Sequence, residues 1–100
     1  MRRMTYAVLW HEDGGPGYAG KLALDAQAIV LSGSARGAHE SRRLLPFADV
    51  VDAHFDRRNG PVYVLVGRSG SRLEIASLEG AGALHELAGQ VEDARGKTAA

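Results

Sequence analysis

The hydrophobic period of this chain changes once, and that change limits the fold more than any other feature. From Thr5 to Ala76 the apolar residues recur in short runs, most of them alternating with polar or small neighbours. Beyond Ser77 they recur at i, i+3, i+4 and i+7, at Leu84, Leu87, Ala88 and Val91. Period two marks strands and period 3.6 marks a helix. Short strands followed by one amphipathic helix predict a mainly β fold in which a single helix covers the sheet.

The strands can be placed in turn. In "TYAVLWH" Tyr6, Val8 and Trp10 share one face, which reads as core packing for Trp10, and "EDGGPG" then breaks the strand. In "YAGKLALDAQAIVLSG" Leu22 and Leu24 point together, Asp25-Ala26-Gln27 reverse the chain, and Ala28 to Leu31 return. "SGSARGAHESRR" shows neither period, so Ser32 to Arg43 reads as a surface connector, irregular above all over 33–40. "RRLLPF" is a short strand that Pro46 ends or confines to an edge. In "ADVVDAHFDRR" Val51, Ala53 and Phe55 form one face and Asp52, His54 and Asp56 the other. "RNG" is a hairpin turn, "PVYVLVG" a strand covered on both faces, and "RSGS" another turn. "RLEIA" turns Leu73 and Ile75 inward. The helix is expected over about 79–95, with Ser77 as its N-cap and Gly96 as its stop.

A chain of 100 residues, 45% of them apolar, is one domain able to bury a core without disulfides or metals. It has no cysteine, which excludes thiol nucleophiles and thiolate metal sites. A net charge of zero gives no push toward nucleic acid or an anionic membrane. The apolar run near the N-terminus is too short for a signal peptide or a membrane span, so no stable membrane insertion and a cytoplasmic location are expected.

Seven strands and a C-terminal helix follow the element order of the pleckstrin-homology superfold. "GKLALDAQAIVLSG" resembles the second and third strands of bacterial pleckstrin-homology-like and GRAM-type domains, and "LLPFADVVDAHF" resembles their step into the fifth strand. The resemblance spans about residues 5–95 and implies two near-orthogonal antiparallel sheets with the helix closing one open end. It also implies that a peptide adds to the edge of the fifth strand beside the helix. Carried onto this chain, that groove comprises Val50, Asp52, His54, Asp56, His85, Glu86 and Gln90. Phosphoinositide binding in the family uses basic residues around the first loop. Here that loop is "HEDGGPG", so the usual site does not carry over.

Other constellations are weaker. Arg36, Arg42, Arg43, Arg57 and Arg58 could meet an anionic ligand or lipid head group, but Glu40 interrupts the first cluster, and the bland reading is a solvated loop. Asp52, His54 and Asp56 are spaced too widely along one strand to chelate one small ion together. His85 sits beside the helix stripe as a boundary residue, and "GRSGS" lacks the lysine of a phosphate loop. No serine, histidine and aspartate stand in a context that suggests a relay, and no motif calls for a cofactor. The sequence therefore reads first as a non-catalytic binding module for a protein, a peptide or a second copy of itself. An anion binder comes second, and a small enzyme with an unrecognised site third.

Overall fold

The computed structural model describes residues 4–35, 40–56, 58 and 60–99. Seven antiparallel strands are followed by one helix: β1 Thr5–Glu12, β2 Tyr18–Leu24, β3 Ala28–Ser34, β4 Glu40–Pro46, β5 Val50–Asp56, β6 Val62–Gly67, β7 Arg72–Ser77 and α1 Ala81–Ala99. A single 3-10 turn, Phe47–Asp49, joins β4 to β5. The strands form a curled half-barrel in the order β4-β3-β2-β1-β7-β6-β5. The two edges of the sheet are therefore β4 and β5.

The alternation read from the sequence sets the inner face. Tyr6, Val8 and Trp10 are buried, with Leu22, Leu24, Ile29, Leu31, Leu45, Tyr63, Leu65, Leu73 and Ile75 from the neighbouring strands. Onto this concave face α1 lays Leu84, Leu87, Ala88 and Val91, all buried. Burying a side chain of Leu or Val size contributes about 1.5–3 kcal/mol. That docking offsets the roughly 1 kcal/mol that each of Gly82, Gly89 and Gly96 takes from the helix relative to alanine.

β2 and β3 approach closely at a pair of glycines. Gly20 pairs with Gly33. A Cβ built on Gly20 would lie 2.1 Å from the Ser32 carbonyl oxygen and 2.4 Å from the Gly33 Cα. No side chain fits there. The Trp10 indole donates a hydrogen bond to that same Ser32 oxygen at 3.1 Å and packs on Tyr18 at 4.7 Å between ring centroids. Two glycines thus let one strand fold over the next, and a buried tryptophan fastens the fold.

Four sequence expectations need correction. The run from Ser32 to Arg43 is not mainly a connector: Ser32 pairs with Arg42, Gly33 with Ser41 and Ser34 with Glu40. A ladder of backbone hydrogen bonds needs no apolar period at the rim of a sheet, so composition concealed it. The remaining centre of that run, 36–39, lies outside the described residues. In β5 the register shifts between Val50 and Asp52. Val51 is the extra residue of this bulge and is 55% exposed rather than inward. Ser77 does not cap the helix: its hydroxyl accepts the Glu79 N–H at 2.9 Å, while the Gly80 carbonyl accepts the Leu84 N–H at 3.3 Å. Nor does Gly96 stop α1, which runs on to Ala99.

Candidate functional site

The β5 edge and the flank of α1 lie side by side. At one end Phe55 stacks on His85 of the first helical turns, 4.8 Å between ring centroids, and on Tyr63 of β6 at 5.1 Å. At the other end Phe47, Val50, Glu92, Arg95 and Gly96 line one recess, together with Ala48 and Arg68. The two elements therefore run antiparallel. Their lengths agree: five residues of strand and ten of helix each span about 15–17 Å. Since β5 pairs only with β6 among the described residues, alternate backbone N–H and C=O groups of β5 face away from the sheet.

The expected groove residues divide into three sets. His54 and Asp56 line a recess with Phe55, Arg58 and Arg72. His54 Nδ1 lies 2.9 Å from Asp52 Oδ2, and Asp56 faces the Arg72 guanidinium at 3.5 Å. Val50 is buried beneath the helix and forms floor, not wall. Glu86 and Gln90 turn to the opposite flank. There the Tyr6 hydroxyl donates to Glu86 Oε1 at 3.0 Å and accepts from Gln90 Nε2 at 2.5 Å. They hold the helix to β1 and do not line the β5 groove. A spacing of four residues keeps Glu86 and Gln90 on one face, about 100–140° around the helix from His85.

Sequence reasoning missed four members of this region. Alternation turns Phe55 inward, yet it joins β5, β6 and α1 in one aromatic contact. Glu92 and Arg95 pair at 2.9 Å on the flank of α1, and an i, i+3 spacing was the available signal. Tyr63 is buried, and its hydroxyl finds no hydrogen-bond partner among the described residues. Burial above all, and then the nearby Glu92 carboxylate, push its ionisation above the ordinary tyrosine range.

Of the five candidate arginines, the three described, Arg42, Arg43 and Arg58, line two separate recesses. Arg36 and Arg57 lie outside the described residues. Arg43 is committed to Glu12 Oε2 at 3.0 Å and donates to the Leu44 carbonyl at 2.7 Å. With Arg42 it lines a recess beside Trp10, Glu12, Asp13 and Tyr18. Arg58 lines a separate recess after β5. Elsewhere on the convex face, His11 Nε2 meets Glu74 at 3.2 Å and Arg72 Nε meets the other Glu74 oxygen at 3.1 Å.

Among the described residues no helix is long and apolar enough to cross a membrane. Set against models of known protein families and against curated proteins, the chain matches none.

Proposed function

We propose that this chain is a pleckstrin-homology-like binding module that captures an extended peptide along β5 without chemistry. In this reading β1–β4 and β5–β7 act as two near-orthogonal layers of the curled sheet, and α1 caps one open end. The observation that carries the reading is the free β5 edge lying antiparallel to α1. An added strand gains backbone hydrogen bonds from β5, and its alternate side chains meet Phe55 and His85 at one end and the Glu92–Arg95 recess at the other. Committed pairings of Arg43 with Glu12 and of Arg72 with Asp56 and Glu74 favour this site over an arginine-based anion site.

The test is selection of peptides from a random display library, followed by amide chemical-shift mapping with a selected peptide. Shifts confined to Val50–Asp56 and the flank of α1 carrying His85 and Glu92 are expected. Failure to select any binder, or shifts confined to Asp13–Tyr18 and Ser41–Arg43, would overturn the proposal.

A further inference from the structure

The free edge strand β5 comprises seven residues, and Ala53 is its middle. A two-fold axis perpendicular to the sheet at Ala53 lays this strand antiparallel on β5 of a second copy. That operation keeps the convex faces of both copies on one side. Ala53 then opposes its own equivalent, and Asp52 opposes His54 of the second copy, twice by symmetry. Within one copy Asp52 and His54 share a face, with His54 Nδ1 2.9 Å from Asp52 Oδ2. Both side chains are open to a partner, the carboxylate 59% exposed and the imidazole 44%. Directly opposed residues of an antiparallel pair have Cβ atoms about 4.5–5.5 Å apart, within reach of a carboxylate–imidazole contact. Carboxylates and imidazoles therefore alternate around the axis. The exposed Val51 also falls within the paired span.

Other pairings fit less well. Axes at Asp52 or at His54 oppose Asp52 to Asp52 or Asp52 to Asp56, which is repulsive. An axis at Phe55 pairs little of the strand, because the chain turns at Asp56, whose carboxylate accepts the Arg58 N–H at 3.0 Å. The same operation at Arg43, the middle of β4, opposes arginine to arginine. Laying β4 antiparallel on β5 turns the second copy over, because six antiparallel steps leave the two edge strands pointing the same way. We propose that the strand captured by β5 is β5 of a second copy of this chain, paired about Ala53. The inference rests on the reading that β5 accepts an added strand.

The helix leaves room for this. Glu86 and Gln90 reach Tyr6 of β1, and His85 reaches Phe55 of β5, three strand spacings or about 14 Å away. α1 therefore sits over the strands between and not over the edge, so the two helices of a pair stand apart. The contact is isologous, and assembly closes at two copies. One strand pair makes an interface at the small end of the range, so dimerisation depends on concentration.

Sedimentation equilibrium of the full chain, from micromolar to about 1 mM, tests this. The weight-average mass should rise toward that of a dimer and not beyond it. His54→Asp opposes carboxylates at both symmetric pairs and should weaken association at least about tenfold. Asp52→Lys removes both complementary pairs and should also weaken it. Mixing the two variants should restore association. The native Asp52 of one then meets the native His54 of the other, and the introduced aspartate meets the introduced lysine. A general loss of folding in either variant could not give that recovery. A wild-type chain that stays monomeric, a mass that climbs past a dimer, variants that associate as wild type does, or a mixture that stays monomeric would overturn the proposal. A library-selected peptide bound along β5 should also dissociate the wild-type dimer. Its capture by wild type at micromolar concentration shows separately whether the β5 reading survives.

Discussion

Gly20→Ala probes the tightest of the described glycine positions. The added Cβ would stand 2.1 Å from the Ser32 oxygen, 2.4 Å from the Gly33 Cα and 2.8 Å from the Ser32 carbon, all backbone atoms. A flexible side chain could swing away, but a paired strand cannot, so β3 must move by about 1 Å to reach ordinary van der Waals distance. Overpacking of this kind costs about 1–3 kcal/mol. Moving Ser32 also strains the Trp10 hydrogen bond, and a buried donor left unsatisfied costs about 1–3 kcal/mol. Alanine recovers only about 0.4–1 kcal/mol by restricting the unfolded chain. The net loss should be about 2–4 kcal/mol. For a domain of this size that lowers the melting temperature by roughly 10–25 °C. Urea unfolding followed by Trp10 fluorescence is the assay, since the only tryptophan sits at the affected point. A change within about 0.5 kcal/mol of wild type would show that β2 and β3 are not folded together at Gly20, and the reasoning about the curl would fail.

Three further outcomes follow from the same packing. Gly89→Ala, at an exposed helical position with nothing within 4 Å of the new Cβ, should stabilise by up to about 1 kcal/mol in the same urea assay. Leu87→Ala, which empties a site only 1% exposed beneath α1, should cost about 2–4 kcal/mol, and a loss under about 0.5 kcal/mol would mean the stripe is not core. Tyr63→Phe should leave neutral-pH stability unchanged or raise it by about 1 kcal/mol, because it removes a buried hydroxyl without a partner. The raised Tyr63 ionisation has a sign: its contribution is intact below about pH 10 and is lost as pH climbs above that, because the unfolded chain ionises first. Unfolding titrations at alkaline pH should show Tyr63→Phe losing stability less steeply than wild type.

Much of the fold is legible in the sequence wherever burial imposes a period. Tyr6, Val8 and Trp10 alternate because one face of β1 is core, and Leu84, Leu87, Ala88 and Val91 keep a helical spacing because one stripe docks. Where burial imposes nothing, the sequence is silent. The outer ends of β3 and β4 are held by hydrogen bonds to the backbone rather than by apolar side chains of their own, so Ser32, Gly33 and Ser34 look like loop. The bulge at Val51 inverts a short apolar alternation without any glycine or proline to announce it. Gly80, with its positive φ of 106°, takes the helix start that Ser77 seemed to offer in sequence, and Gly96 continues a helix that nothing compels to stop.

The candidate site was legible as an edge strand and a helix, but not as a surface. Val50 through Asp56 could be placed on one strand, and His85 on the neighbouring helix. Only the three-dimensional path of α1 shows that Glu86 and Gln90 are spent on Tyr6, whereas Glu92 and Arg95 face the groove side with Val50. A helix rotates about 100° per residue, so a misjudged tilt moves neighbours such as His85 and Glu86 to different flanks.

The claim that β5 takes an added strand is tested most directly by amide hydrogen exchange of β5 with and without a captured peptide. Amides of β5 already bonded to β6 are protected in the free chain, whereas the alternating set facing outward has no such bond. Binding along the edge should slow that second set and give a period-two pattern of new protection across Asp52–Asp56. Uniform or absent protection of β5, with slowing instead at Ser41–Arg43 or around Tyr18, would contradict the account.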